Sequence, residues 1–200
     1  MQIVLNLPKQ DPPARTQVLE AAARAVVAAC LCGQFQDALD AWYGRRIRKV
    51  TRRARNKAWE DVQELPGVTV DGIARAFEPS AVSEVPHAIS KLQINGTDLP
   101  ADNPGPVLAD APVLYVDSSL RMSVGKAAAQ VGHGSMLLAA ALPLELVEEW
   151  TAQGFPLSVR EVGADEFARA AEREGAVVVR DAGYTEVAPG SATVVALWRD

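Results

Sequence analysis

Two short apolar runs, Ile3-Val4-Leu5 and Val113-Leu114-Tyr115-Val116, stand about 110 residues apart, and each leads through a polar turn into an Ala-rich segment. Those segments, ARTQVLEAAARAVVAACL and GKAAAQVGHGSMLLAAAL, place apolar residues at i, i+3 and i+4, the spacing of a helix with a buried face. The correspondence continues at the same offset. Arg46–Val70 aligns with Phe155–Val179, both reading strand, helix, short turn, strand. Phe77-Glu78-Pro79-Ser80 then falls opposite Val187-Ala188-Pro189-Gly190. Self-similarity at one offset is the mark of a duplicated supersecondary unit.

Short strands alternating with helices predict an α/β fold. The expectation is two similar small α/β units, each a mixed, mostly parallel four-stranded sheet with helices on both faces. Gly96–Pro112 holds four prolines and two glycines without periodicity, so it reads as a linker. The expected organisation is a unit over 1–95, a linker over 96–111 and a second unit over 112–200. Within Ala81–Ile94 the reading stays open between a strand and a helix starting near Pro86, because proline is poorly tolerated in a central strand.

Composition narrows the classes. Hydrophobic residues make up 48% and charged residues 22%, as in globular domains. No apolar run approaches the roughly 20 residues that span a bilayer. The N-terminus lacks the basic start and cleavage site of a signal peptide, so a cytoplasmic protein without membrane contact is expected. Cys30 and Cys32 are too close to frame a disulfide scaffold, and His87 and His133 are the only histidines. Neither a metal nor an organic cofactor is expected.

Charge is uneven. Residues 1–100 carry 13 Lys/Arg and 11 Asp/Glu, a net +2; residues 101–200 carry 7 and 14, a net −7. Eight cations crowd one stretch: Arg45, Arg46, Arg48, Lys49, Arg52, Arg53, Arg55 and Lys57. Such a cluster is either a solvated face or a phosphate-binding surface.

Local motifs exclude two chemistries. Gly125-Lys126 is not a phosphate loop, since Leu120 and Ala127 occupy positions that need Gly and Ser/Thr. Ser135 lacks the flanking glycines of a nucleophile elbow. Lys126 nonetheless sits in the first turn of a helix, where a cation opposes the helix dipole. Gln130 and His133 follow at i+4 and i+7 on the same face.

Taken together, Gly125-Lys126-Ala-Ala-Ala-Gln130-Val-Gly-His133, Pro143-LELVEEWTAQG and Asp181-Ala-Gly183-Tyr-Thr185-Glu-Val-Ala188-Pro189-Gly190-Ser191 resemble the archaeal and eukaryotic type of peptidyl-tRNA hydrolase, from about Val113 to Leu197. The resemblance implies hydrolysis of the ester joining a peptide to the 3′ ribose of tRNA. It implies Lys126, Asp181 and Thr185 as the active group, with Gln130, His133, Arg121 and Gly183 lining the substrate site. Against the family pattern, Asp117 replaces an Arg, Ser119 an Asp, Val124 a Lys and Tyr184 an Arg.

The residue types suit ester hydrolysis. Asp181 can orient and polarise a water as general base. Lys126 and helix N-terminal amides can stabilise the oxyanion. Thr185 can hold Asp181 or the water. The first half has Ala14-Arg15-Thr16 at its helix start and Asp71–Phe77 where the Asp-x-x-x-Thr loop would fall, so it reads as a silent copy. Its eight cations are then candidate contacts to the tRNA backbone. The expected partner is peptidyl-tRNA, bound by a monomer acting as a pseudo-dimer, with a homodimer as the alternative. Two other functions stay open: a non-catalytic tRNA- or RNA-binding relative, and a hydrolase of another ester.

Overall fold

Apolar residues in extended runs and Ala-rich segments in helical register sort this chain into two sheets separated by two long helices. The computed structural model describes residues 1–198. In the first half, β1 (Gln2–Asn6) is followed by α1 (Arg15–Leu31), α2 (Gln36–Tyr43), β2 (Val50–Ala54), α3 (Lys57–Gln63), β3 (Gly67–Val70) and β4 (Ala74–Phe77). A 3-10 turn and the four-residue α4 (His87–Ser90) close it. In the second half come β5 (Val113–Asp117), α5 (Val124–Ala141), α6 (Leu144–Ala152), β6 (Ser158–Val162), α7 (Ala164–Ala171), β7 (Val177–Arg180) and β8 (Ala192–Leu197). Pro86 stands immediately before α4, so the segment left open resolves as a short helix and not a strand.

The sheets share one plan, β2-β1-β4-β3 and β6-β5-β8-β7. The expectation of two similar α/β units holds. The expected parallel majority does not. Only β1/β2 and β5/β6 are parallel, whereas β1/β4, β3/β4, β5/β8 and β7/β8 are antiparallel. The cause is local: β3 turns straight into β4, and β7 returns as β8, and strands joined by a hairpin must run antiparallel.

The first hairpin also corrects the alignment of the halves. Asp71 and Gly72 both take positive φ, 53° and 67°, and Ile73 N–H bonds Val70 O at 2.9 Å. Asp-Gly suits such a turn because both residues tolerate that backbone. Residues 71–73 are therefore the whole loop, and Ala74–Phe77 occupies in its sheet the place that β8 holds in the other, so it is not the counterpart of the 181–191 loop. The pairing of Phe77–Ser80 with Val187–Gly190 falls with it.

Alternation along the central strands directs side chains to two faces. Ile3 and Leu5 join the main core, while Val4 packs outward with Val62, Ile89 and the α3–α4 side. Likewise Leu114 and Val116 face the main core, while Val113 and Tyr115 meet Phe167 and Ala170 of α7. Helices thus cover both faces of each sheet. The main core draws on both halves, with α1 and α5 packed on each other between the sheets. Residues 96–111 run as an ordered strap across both: Thr97 Oγ1 accepts Gly125 N–H at 2.9 Å, and Asp102 Oδ1 accepts Thr16 N–H at 2.9 Å. Each caps an amide in the first turn of a central helix. Among the described residues, no single helix is long and apolar enough to cross a membrane.

The α1–α5 contact depends on small residues. A Cβ built on Gly132 would lie 2.7 Å from Val26 Cγ2, and Ser135 Oγ donates to Ala23 O at 2.8 Å. Gly132→Ala gains helix propensity but overpacks a stiff valine, so a net loss of about 1–3 kcal/mol is expected by urea unfolding. Adding Val26→Ala should return part of it. Simple additivity of the two losses would show that the contact is not the cause.

Candidate functional site

The start of α5 and the loop between β7 and β8 meet through Lys126. Ser123 caps the helix, its Oγ accepting Lys126 N–H at 3.2 Å. The Lys126 side chain turns away from the helix axis towards the loop. Its Nζ donates to Asp181 Oδ2 at 2.6 Å and to Thr185 Oγ1 at 2.9 Å. The Lys126 and Asp181 side chains are only 10% and 11% exposed. Opposite charge so close together relieves the cost of a lysine near a helix N-terminus.

Gln130 stands one turn along and donates Nε2 to Asp181 Oδ2 at 2.8 Å. Its amide orientation is fixed behind by Thr193, whose hydroxyl donates to Gln130 Oε1 at 2.7 Å. Gly183 N–H donates to Asp181 Oδ1 at 2.8 Å. Burial alone would push the Asp181 carboxyl up; the bonds from Lys126, Gly183 and Gln130, with the Lys126 charge, bring it below the usual carboxylate range. Asp181 is therefore a firmly held carboxylate.

The loop itself is anchored at both ends. Asp181 N–H bonds Ser191 O at 2.9 Å and Gly190 N–H bonds Asp181 O at 2.7 Å. Glu186 receives Ser123 N–H and Ser123 O–H, each at 2.7 Å. Gly183 takes φ 78°, and a Cβ there would come within 2.5 Å of Pro189. Both facts demand glycine.

Of the residues expected from sequence, Lys126, Asp181, Thr185, Gln130 and Gly183 form one bonded group. Thr185 holds Lys126, not Asp181. The amides at the helix start are already used: Ser123 N–H by Glu186, Gly125 N–H by Thr97 and Lys126 N–H by Ser123. Those three amides are therefore not free to meet an oxyanion, contrary to the expectation from sequence. His133 is half-buried further along α5. Burial, then the nearby Lys49 charge, lowers its pKa to about 4 against a smaller opposing effect from Asp181, so at neutral pH it is an uncharged imidazole. Arg121 lies elsewhere, lining a cleft of about 720 Å³ with Arg15, Asp102 and Glu161, and none of Lys126, Asp181 or Thr185 borders that cleft. Among the described residues, no three His, Cys, Asp or Glu side chains group to hold a metal ion.

The eight clustered cations separate. Arg52 donates to the carbonyls of Ser90 and Leu92, Arg53 binds Gln93, and Lys57 pairs with Asp61. Arg55 is half-buried on the strand side of the turn into α3. Arg45, Arg46 and Arg48 are exposed in the segment between α2 and β2. Lys49 turns inward, its Nζ 3.5 Å from Met136 Sδ and 4.9 Å from the Trp42 ring centroid. Burial draws its pKa down to about 7. Ser123 was legible as a residue type that caps helices. Glu186 and Thr193 carried no local signal beyond a polar residue beside or within an apolar run.

A sequence model of the family described as Peptidyl-tRNA hydrolase PTH2 matches residues 111–198. Over 89 residues the chain is 35% identical to a peptidyl-tRNA hydrolase of Haloquadratum walsbyi (strain DSM 16790 / HBSQ001), a stretch covering 42% of this chain and 80% of that protein. The family match runs from just before β5 to just after β8, and so contains Lys126, Gln130, Asp181 and Thr185.

Two outcomes follow from this geometry. Gly183→Ala should dislodge the loop and lose at least about 1 kcal/mol of stability, read by thermal unfolding, since it adds strain at positive φ as well as a clash. For His133 the folded pKa lies below the unfolded value of about 6.5, so the unfolded state binds the extra proton and stability falls as pH drops from about 6.5 towards about 4. Between pH 7 and pH 5 this group should cost wild type about 2 kcal/mol that His133→Gln does not lose, measured as the difference between their urea unfolding free energies.

Proposed function

Because residues 111–198 make this chain a member of the peptidyl-tRNA hydrolase PTH2 family, we propose that its second half hydrolyses the ester between a peptide and the 3′ ribose oxygen of tRNA. The observation that carries this reading is the single ammonium of Lys126, shared between Asp181 and Thr185 at the mouth of α5. It is a cation already held by acceptors beside an exposed hydroxyl, where a polarised ester carbonyl can be met.

Water attacks the carbonyl carbon, and the carbonyl oxygen becomes an oxyanion. Lys126 and the Thr185 hydroxyl stabilise that charge, an effect that grows where water is partly excluded. Asp181, kept ionised by its three donors, orients the attacking water and balances the Lys126 charge. The tetrahedral intermediate collapses with cleavage of the bond between the carbonyl carbon and the ribose oxygen. That oxygen leaves with a proton, giving a tRNA 3′-hydroxyl and a peptide carboxylate, and the second proton of the water passes to solvent. Gln130 and Thr193 act through Asp181 by fixing its plane.

Lys126→Ala should lower kcat on peptidyl-tRNA at least about 100-fold, a typical loss for an oxyanion donor. Thr185→Val should cost about 10-fold. Lys126→Ala also removes one partner of a nearly buried ion pair, at a stability cost of about 3–5 kcal/mol, so each variant is compared below its own unfolding transition. Release of free tRNA at equal rates by wild type and both variants would overturn the assignment. Turnover of a small ester with none on peptidyl-tRNA would point to a different substrate.

A further inference from the structure

The two halves meet so that the loop before the second strand of each reaches the other's site. In one direction, the segment between α6 and β6 reaches the first half: Arg24 Nη2 contacts Gly154 O at 3.4 Å. Counted from the helix starts, Arg24 holds the position of His133, and its other terminal nitrogen, Nη1, pairs with Asp71 at 2.8 Å. That loop, Gln153-Gly154-Phe155-Pro156-Leu157, carries no charge. In the other direction, the segment between α2 and β2 reaches the Lys126–Asp181–Thr185 group. Its Lys49 touches Met136 of α5, and the Arg48 guanidinium lies 4.9 Å from the centroid of the Tyr184 ring. Tyr184 sits between Asp181 and Thr185 in the candidate catalytic loop and is 66% exposed.

The asymmetry concerns only the crossing loops. The one beside the depleted site is neutral, while the one beside the bonded Lys-Asp-Thr group reads Arg45-Arg46-Ile47-Arg48-Lys49. Among the described residues, Arg45, Arg46 and Arg48 have no carboxylate partner, whereas Arg52, Arg53 and Lys57 are engaged within the first half. The aromatic ring holds Arg48 by cation–π attraction while leaving its donors free. Free, preoriented guanidinium groups are suited to phosphate oxygens.

We propose that Arg45, Arg46 and Arg48 form a phosphate-binding arm through which the first half grips the RNA backbone next to the ester cleaved by the second half. Arg48 touches the candidate catalytic loop itself, through the Tyr184 ring. The proposal rests on the hydrolase reading for the identity of the site, and specifies which surface takes the nucleic acid and which half supplies it. The −7 half then needs few cations of its own, because the +2 half presents them across the boundary.

Two measurements separate this proposal from the reading beneath it. The first is equilibrium binding of deacylated tRNA over a range of salt, which needs no turnover. Arg45→Gln/Arg46→Gln/Arg48→Gln should weaken binding at least about 10-fold and reduce the slope of log K against log salt by roughly 2, as expected for loss of about three phosphate contacts. Wild-type affinity and slope in the variant would overturn the arm, whatever the enzyme activity. The second compares KM on peptidyl-tRNA and on a peptidyl-adenosine carrying the same ester without backbone phosphates. The variant's KM should rise at least about five-fold more on peptidyl-tRNA. Equal rises on both would place the arginines in support of the loop and overturn phosphate binding. Wild-type inactivity on both substrates would reject the hydrolase reading and leave the salt-dependence result to decide the arm alone.

Discussion

The packing of α1 against α5 is the contact on which both sheets and the candidate site depend. Ala and Gly on the facing surfaces let the two backbones approach, with Gly132 against Val26 and the Ser135 hydroxyl bonded to the Ala23 carbonyl. Larger residues there would separate the sheets, because each helix lies on its own sheet and also touches an edge strand of the other. The strap over 96–111 completes this arrangement. Thr97 and Asp102 satisfy the amide at the second position of α5 and of α1 respectively. A segment that reads as a linker thus also caps both helices of the central layer, and its two ends are tied to the pair it joins.

Two halves with the same strand order show what the fold does and does not decide. Both halves present a helix start beside a hairpin, and both place an aspartate at the end of the third strand. In the second half that aspartate meets Lys126 and Gln130 in an ion pair with about a tenth of each side chain exposed. In the first half the corresponding helix positions are Gln17 and Ala21, and Asp71 pairs with Arg24 at 52% and 29% exposure. An exposed pair contributes little and is screened by salt. A nearly buried pair is costly to break and holds its groups in place. The difference between the halves therefore lies in burial and in a longer loop, not in topology.

The periodic features were legible in the sequence. Seventeen-residue α1 and the strand–helix–strand order follow from apolar spacing, and the two halves share their strand order because their patterns do. The register of the first hairpin does not follow from a constant offset between the halves, because the two loops differ in length; the Asp71-Gly72 pair is the local sign of the tighter turn. The parallel majority failed for a related reason, since alternation of strand and helix says nothing of the final hairpin. At the site, Lys126 stood out as a cation in the first turn of a helix and Gln130 by helical spacing from it, while the roles of Asp181 and Thr185 came from resemblance. Thr193 and Glu186 act through hydrogen bonds spanning 63 residues, which no local pattern encodes. The division of the basic cluster was equally hidden, because the carbonyls of Ser90 and Leu92 claim Arg52 only once that segment has folded back.

The protonation of Asp181 bears on how such a site can work. Three donors converge on one carboxylate, and its pKa falls below the ordinary range despite burial. A strong general base needs the opposite, a proton affinity near the working pH. On the proposed reaction, Asp181 therefore contributes little by removing a proton from water and more by fixing charge. It holds Lys126 where the oxyanion forms and presents an oriented acceptor to the incoming water. Such prearranged charge does not reorganise as the intermediate appears. Gln130, Thr193 and Gly183 then share a single purpose: they keep the carboxylate ionised and immobile, so that the Lys126 ammonium and the Thr185 hydroxyl remain available to the substrate.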